Sequence, residues 1–225
     1  MFESSKSIAR RLHTPGFATH YFVGNGLDVG SGNDSLGKYA RLFPLIRSIT
    51  DFDLPDGDAQ DLAKHADGSF DFLHSSHCLE HVREPSTALR NWIRVVRKFG
   101  HIVVMVPDED MYEQGIWPST FNNDHKHTFT ICKQKSWSPV SRNVTDFLAI
   151  VADLAEPVRI EQLHLTFQRG IGRVDQTENP VGEIYWVRSR RFSLTPDSTQ
   201  STFHPSVARC SMASRVPRAS VSAPR

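Results

Sequence analysis

Cysteine is scarce in this chain of 225 residues, and its three cysteines, Cys78, Cys132 and Cys210, form no closely spaced pair. That spacing excludes a disulfide framework and a zinc ribbon. No apolar run reaches the roughly 20 residues that cross a bilayer, and the first residues lack the hydrophobic stretch of a secretory signal. The formal net charge is only +1, so nothing in the charge calls for nucleic acid as an obligate partner. We therefore expect a cytoplasmic protein with no membrane span.

The end of the chain lacks an apolar period. Residues 193–225 are rich in serine, proline and arginine, contain no lysine and hold a single acid, Asp197. Such a segment buries too little apolar surface to offset the entropy that is lost on ordering. The rest of the chain is long enough for one sizeable core. We predict one domain over residues 1–192 and a disordered tail over residues 193–225.

Strand and helix signals alternate from residue 23 to residue 106. Apolar residues at helical spacing occupy residues 35–43, a short apolar stretch follows at 45–50, and an amphipathic helix begins at Pro85. Ile102–Val106 is a continuous apolar run, typical of a strand buried on both faces. This alternation predicts an α/β fold in which a right-handed, doubly wound parallel sheet carries helices on both faces. Ligands of such folds bind at the carboxyl ends of the strands.

The later part of the chain continues the alternation. Residues 140–154 have helical apolar spacing, with Pro139 in the first turn. Two β-rich stretches then follow, at residues 157–167 and 182–191. We expect one more helix and two more strands in this region.

The segment Gly26–Asp34 runs from an apolar strand into closely spaced glycines. Because glycine has no side chain, backbone N–H groups of such a loop can approach a ligand closely. A dinucleotide fingerprint anchored on Gly30 and Gly32 requires a third glycine at position 35, where the chain has Ser35. Asp28, two residues before the first glycine, instead suits a cationic amino group. The loop thus predicts a nucleotide-like ligand that carries such a group.

This loop resembles motif I of the class I S-adenosylmethionine (SAM) dependent methyltransferases, with the acid at Asp28 and two glycines at Gly30 and Gly32. Asp34 departs from the pattern, because the family most often has a third glycine there. Residues 69–82 also resemble the family, since Ser-Phe-Asp and then Leu-Glu-His-Val occur around its fourth strand. The resemblance covers about residues 20–190. It implies a Rossmann-like sheet of seven strands, mostly parallel with an antiparallel last strand, and methyl transfer from SAM to a small-molecule acceptor such as a sugar or a lipid.

The resemblance also implies which residues contact SAM. The glycine loop is expected to wrap the methionine half of the cofactor. Asp51, at the end of the second predicted strand, is expected to accept hydrogen bonds from the ribose hydroxyls, with Asp53 as the fallback. Asp58 and Ala59, from a Gly-Asp-Ala segment, are expected at the adenine edge. The complete set of predicted cofactor residues is Asp28, Gly30, Ser31, Gly32, Asp51, Asp58, Ala59, Ser75 and His77.

Histidines follow the fifth predicted strand, in a long connection. Displacement at a sulfonium methyl needs no acid for the leaving thioether, and it needs a base only when the acceptor is a hydroxyl. His125 is our candidate for that base, although a histidine pair that is merely hydrogen-bonded within a lid is an equal alternative. Asp124, His125 and His127 carry metal-ligand atoms, but their spacing is not that of a known structural site. We therefore predict no metal.

Two other functions stay open at this stage. A SAM-fold binding protein without turnover is suggested by Asp34 and by residues 98–101, Lys-Phe-Gly-His, where relatives have Lys-Pro-Gly-Gly. Residues 51–53 and 108–110 imitate the Asp-x-Asp metal pair of glycosyltransferases. The glycine loop disfavours sugar transfer, because that chemistry does not require it.

Overall fold

The computed structural model describes residues 3–164, 167–176 and 183–190, the last of these by their backbone alone. Eight strands are present in this part of the chain: β1 Gly24–Val29, β2 Ile46–Phe52, β3 Phe70–Ser76, β4 Val96–Pro107, β5 Thr128–Thr130, β6 Ser141–Asn143, β7 Ala155–Leu163 and β8 Glu183–Arg190. The helices are α1 Glu3–Arg11, α2 Phe17–His20, α3 Pro85–Val95 and α4 Val144–Ala149, and 3₁₀ segments occupy Leu36–Leu42, Leu54–Asp56 and Leu79–His81.

The main sheet has the strand order β2-β1-β3-β4-β8-β7. Strand β1 pairs in parallel with β2 and β3, and β3 pairs in parallel with β4. Strand β8 runs antiparallel to both of its neighbours, β4 and β7. Strands β5 and β6 form a separate parallel pair. The Rossmann-like α/β fold with a parallel sheet is therefore confirmed.

Apolar side chains cover both faces of the sheet, and β4 illustrates why. Val103 and Met105 belong to one apolar cluster, which also contains α1, α2 and a group of phenylalanines. Ile102, Val104 and Val106 alternate with them and join the other cluster, which contains α3 and α4. Successive side chains of a strand point to opposite faces, so a strand that is covered twice must be apolar throughout.

Helix α3 begins at Pro85, whose fixed φ and missing N–H suit the first turn of a helix. Its buried stripe, which includes Leu89, Trp92 and Ile93, packs into the core. The helix ends at Val95, and the chain enters β4 directly. The strand therefore begins several residues earlier than the apolar run in the sequence indicates.

Six strands of the described residues form this sheet, so the seventh strand that the family resemblance implies is not among them. Residues 57–69, between β2 and β3, form turns. Polar side chains of α3 bind the carbonyl groups of these turns: Trp92 Nε1 donates to Ala59 O at 2.8 Å, and Arg94 donates to His65 O at 2.9 Å. Asn91 also donates to Gln60 O at 3.0 Å. Because these carbonyls are satisfied by side chains, the segment needs no strand partner.

The remaining predictions of secondary structure and domains have different outcomes. Helix α4 covers only part of the predicted helix 140–154, because residues 141–143 pair as β6 with β5. Helix α1 has no counterpart in the sequence analysis. The tail predicted over residues 193–225 lies outside the described residues, and the domain division stays a prediction. None of the helices in the described part of the chain is both long and apolar enough to cross a membrane.

Candidate functional site

A cleft lies at the carboxyl ends of β1 and β3, where a doubly wound sheet binds its ligands. It has two lobes, and Gly30, Gly32, His77 and His81 line both. We call the first the Glu80 lobe; it measures about 780 Å³ with its open mouth, and its other lining includes Glu3, Ser31, Asp34, Glu80, Tyr112 and His125. We call the second the Asp53 lobe; it measures about 690 Å³, and its other lining includes Asp53, Leu54, Gly57, Ala59, Cys78 and Asp124.

The glycine loop forms the floor that the two lobes share. Gly30 has a φ of 72°, and a Cβ at this position would lie 2.6 Å from the Cβ of Cys78. Gly32 has a φ of 47°, and its N–H donates to Asp53 Oδ2 at 3.0 Å. A side chain at Gly30 would thus be strained and would collide with Cys78. Burial raises the pKa of the Cys78 thiol to about 12, which disfavours the reactive thiolate form.

The two acids that flank Phe52 have different positions. Asp53 lies in the cleft, where Oδ2 accepts from Gly32 and Oδ1 accepts from the N–H of Leu54 at 2.8 Å. Asp51 is placed outside the cleft lining, and its Oδ1 accepts from the hydroxyl of Ser35. The reason is register: Asp51 is still paired with Asp28 of β1, whereas Asp53 follows the end of the strand. Asp53, the alternative to Asp51 for binding the ribose, therefore lies in the cleft, and Asp51 does not.

Asp28 does not line the cleft either. Its side chain is buried, with Oδ2 accepting from the N–H of Leu36 at 2.7 Å and Oδ1 lying 2.6 Å from His74 Nδ1. Both oxygens are therefore engaged within the fold. This carboxylate was predicted to meet a cationic amino group of the ligand, and in the structure it holds the start of the 3₁₀ segment that follows the glycine loop.

Two further predicted residues turn away from the cleft lining. Ser75 is completely buried, and its hydroxyl donates to Val29 O at 2.9 Å, so the next serine, Ser76, lines the Glu80 lobe instead. Asp58 is exposed and lies 3.3 Å from the guanidinium of Arg83. Because successive side chains of a strand point to opposite faces, Ser76 faces the cleft and Ser75 does not. Of the predicted cofactor residues, Gly30, Ser31, Gly32, Ala59 and His77 line the cleft.

Asp34, which replaces the third glycine of the family pattern, connects the loop to helix α1. Its Oδ2 accepts from the N–H of Ser5 at 2.9 Å, and its Oδ1 accepts from the hydroxyl of Tyr39 at 2.6 Å. The hydrogen bond to Asp34 raises the pKa of Tyr39. Helix α1 also places Glu3 and Ser4 in the wall of the Glu80 lobe. The departure from the pattern therefore fastens an N-terminal helix over the cleft.

Glu80, His81 and His125 form a cluster in the Glu80 lobe. Glu80 is 0% exposed, and neither of its carboxylate oxygens has a hydrogen-bond partner among the described residues. Its Oε1 lies 3.7 Å from His81 Nε2 and 4.0 Å from His125 Nε2. The opposite ring nitrogens also face carboxylates, since His81 Nδ1 lies 3.0 Å from Asp124 Oδ2 and His125 Nδ1 lies 2.7 Å from Glu113 Oε1.

His77 lies between the two lobes in a left-handed backbone conformation, with a φ of 52°. Burial lowers its pKa, although the nearby Glu80 carboxylate opposes this effect. A neutral imidazole is therefore favoured at the centre of the cleft. Sequence reasoning found His77 but missed Glu80, His81 and Glu113 as site residues. The Leu-Glu-His-Val motif was the available signal for the first two.

The acidic triplet at residues 108–110 does not form the metal pair of a glycosyltransferase. Glu109 is buried and accepts from Lys133 Nζ at 2.7 Å and from the Ser141 hydroxyl at 2.6 Å. Asp108 accepts from the N–H groups of Asp110 and Met111. Burial lowers the pKa of Lys133, but its hydrogen bonds to Asp110 and Glu109 outweigh burial and raise it. The carboxylates of residues 108–110 therefore accept hydrogen bonds from groups within the fold.

The fold is that of a Rossmann-like α/β protein with a cleft at the carboxyl ends of its strands, and the comparisons specify its class. The family described as "Methyltransferase domain" matches residues 3–137. The chain belongs to this family. Membership confirms the assignment to the SAM-dependent methyltransferases, enzymes whose methyl donor is SAM. No curated protein matches the chain.

Several solved structures share the fold. The YcgJ protein of Bacillus subtilis is 13% identical with a TM-score of 0.53, and the match covers 84% of this chain and 99% of that one. The N-methyltransferase NodS of Bradyrhizobium japonicum is 14% identical with a TM-score of 0.50, with coverages of 84% and 96%. Phosphoethanolamine N-methyltransferase 2 of Haemonchus contortus, solved with SAM, is 11% identical with a TM-score of 0.51, and the match covers 84% of this chain and 53% of that one. At these identities the likeness shows the fold alone.

Proposed function

We propose that this chain transfers the methyl group of SAM to a small-molecule acceptor in the two-lobed cleft. The observation that carries the proposal is the division of the cleft by one glycine loop. The Asp53 lobe, on one side, offers a carboxylate at the end of β2. The Glu80 lobe, on the other, offers a carboxylate and imidazoles. Such a division suits a cofactor on one side and the group to be methylated on the other.

The Asp53 lobe fits the nucleoside part of SAM. Asp53 uses one lone pair of each oxygen on the N–H groups of Gly32 and Leu54, and a carboxylate has further lone pairs that can accept from the two hydroxyls of a ribose. Ala59 supplies apolar wall in the same lobe. The glycine loop leads from this lobe to Ser31 in the other, which suits the methionine part. SAM, when bound, supplies an electrophilic methyl group.

The Glu80 lobe is the proposed acceptor space. Its wall of Glu3, Asp34 and Glu80 is acidic, with His77, His81 and His125 among the acids. A polar, hydroxyl- or amine-bearing metabolite suits that wall better than an apolar one. The chain's contribution to the reaction is to hold the acceptor atom in line with the methyl group. The role of His125 as a base stays a prediction, and its Nε2 faces the Glu80 carboxylate.

The matched pair Asp53→Ala and Asp51→Ala tests the cofactor site. We expect Asp53→Ala to weaken SAM binding by about tenfold or more, since charge-assisted hydrogen bonds contribute about 1.5–3 kcal/mol. Asp51→Ala should leave the affinity unchanged, because Asp51 binds Ser35 instead. Isothermal calorimetry with SAM and with its demethylated product gives the dissociation constants. The reverse ranking would place the ribose at Asp51, and equal affinities for all three proteins would remove both acids from the site.

A further inference from the structure

Three metal-ligand atoms converge in the Glu80 lobe. Glu80, His81 and His125 each offer one ligand atom, and these three atoms lie within 4.8 Å of one another. Two atoms that each bind one cation at about 2.1 Å are about 3–3.5 Å apart, so small side-chain rotations would bring this cluster to coordination distance. We propose that Glu80, His81 and His125 bind a divalent transition-metal cation.

Glu80 is a buried carboxylate without a hydrogen-bond partner in the described part of the chain. Its side chain is completely buried, and no donor among the described residues hydrogen-bonds to either carboxylate oxygen. Burial of a carboxylate without a partner is strongly unfavourable. The two imidazoles of the same cluster lie within 4.0 Å of Glu80 Oε1. A cation between the three side chains would supply the missing partner.

Both imidazoles are oriented by carboxylates that lie at their Nδ1 atoms. His81 Nδ1 lies 3.0 Å from Asp124 Oδ2, and His125 Nδ1 lies 2.7 Å from Glu113 Oε1. When Nδ1 donates its proton to a carboxylate, Nε2 keeps a free lone pair, and this is the tautomer that binds a metal. Paired carboxylates of this kind also orient metal-binding histidines. Here both Nε2 atoms point toward Glu80.

Backbone hydrogen bonds hold the segments that carry Glu80, His81 and His125 together. The carbonyl oxygen of Glu80 accepts from the N–H of Lys126 at 2.8 Å and from the N–H of His127 at 3.2 Å. These bonds join the 3₁₀ segment that carries Glu80 and His81 to the connection that carries His125. The ligands are therefore held near one another by the fold itself, which reduces the ordering that a cation must impose.

The donor set indicates which cations fit. Imidazole nitrogen with a carboxylate suits Zn²⁺, Co²⁺, Fe²⁺ or Mn²⁺ rather than Ca²⁺ or Mg²⁺, which prefer oxygen alone. Three protein ligands leave coordination positions open toward the Glu80 lobe. Here the inference rests on the proposed function: an acceptor oxygen or nitrogen in that lobe is the expected further ligand. His125 would then be a metal ligand, in place of the base that the sequence analysis predicts.

The test is a Co²⁺ titration of the untagged full chain after dialysis against a chelator. We expect one Co²⁺ per chain, with visible absorption bands and competition by Zn²⁺. Glu80→Gln and His125→Gln should abolish binding at concentrations that saturate the unsubstituted protein. Asp124→Asn changes a side chain that is 68% exposed, so this variant should fold normally, and it should weaken binding by about tenfold.

His127→Gln is the matched control, because His127 lies two positions from His125 but faces the carbonyl of Arg83; it should bind Co²⁺ like the unsubstituted chain. Absence of stoichiometric binding, or binding that all the variants retain, would overturn the inference. A SAM titration of the same samples separates the two proposals. SAM binding without Co²⁺ binding would refute only the metal site, whereas Co²⁺ binding without SAM binding would refute only the cofactor site.

Discussion

Glu80 and Glu109 are both completely buried, yet their surroundings are opposite. Glu109 accepts hydrogen bonds from Lys133, Ser136, Thr128 and Ser141. Glu80 accepts none from the described residues. One carboxylate is satisfied by its own chain, and the other faces a cleft.

The difference separates structural acids from candidate binding acids. A buried charge is retained in a fold only when something compensates it. For Glu109 the compensation comes from a lysine and three hydroxyls, which connect β5, β6 and the chain that follows β4. For Glu80 no hydrogen-bond donor among the described residues supplies compensation, and the two imidazoles beside it direct their opposite nitrogens to other carboxylates. Burial alone would have ranked these two residues equally.

The largest expected effect comes from Glu109→Ala. Removing this carboxylate leaves three hydroxyls without their shared acceptor and Lys133 with Asp110 alone, and because each unsatisfied buried polar group costs about 1–3 kcal/mol, we expect a loss of about 3–5 kcal/mol. The free energy of unfolding, from urea denaturation without metal, measures the loss. Glu109→Gln keeps the shape of the side chain and should lose less. If Glu109→Ala changed stability by under 1 kcal/mol, roughly the effect of a surface substitution, Glu109 would not be the structural acid that we describe.

Asp108 is an intermediate case, and its effect depends on pH. Burial, with help from Asp110, raises its pKa from 3.8 to about 6, so between these values the folded protein binds this proton and the unfolded chain does not. Stability should therefore fall as pH rises from 4 to 7, by about 3 kcal/mol at most. Asp108→Asn should remove this part of the pH dependence. Urea denaturation of both proteins at several pH values measures it, and parallel curves would refute the assignment.

The smallest effect, and the one of opposite sign, is expected for Glu80→Gln without metal. Replacing an unpaired buried carboxylate by a neutral amide of the same shape should raise the free energy of unfolding by about 1 kcal/mol. The same urea titration, carried out in chelator, detects the gain. A loss as large as that of Glu109→Ala would show that the two glutamates are equivalent, and our comparison would fail.

Much of the fold could be predicted from local patterns. Strand β4 is an uninterrupted apolar run, and α3 has a proline start with an apolar stripe, so both are visible without a structure. Helix α1 was missed because its only large aliphatic residue is Ile8, which gives no periodic signal. The count of seven strands came from the family resemblance, whereas residues 57–69 form turns that are held by side chains of α3, which lie far along the chain.

Site residues could be predicted from the sequence where the backbone conformation determines the residue type. The glycine loop was found because only glycine fits its conformation, at Gly30 above all. The choice between Asp51 and Asp53 depends on where β2 ends relative to β1, and no residue in the sequence marks that register. The meeting of Glu80 with His125 depends on two backbone hydrogen bonds to the Glu80 carbonyl. Such bonds are a property of tertiary structure alone.

Residues 57–69 form turns and add no strand beside β2. Strand β2 becomes a border strand among the described residues, so one row of its N–H and C=O groups has no strand beside it. Its exposed Arg47 and Asp51 place charges along this border, a device that discourages a second chain from pairing there. Charges of this kind are screened by salt. Concentrated salt is therefore the condition in which self-association through β2 would first emerge.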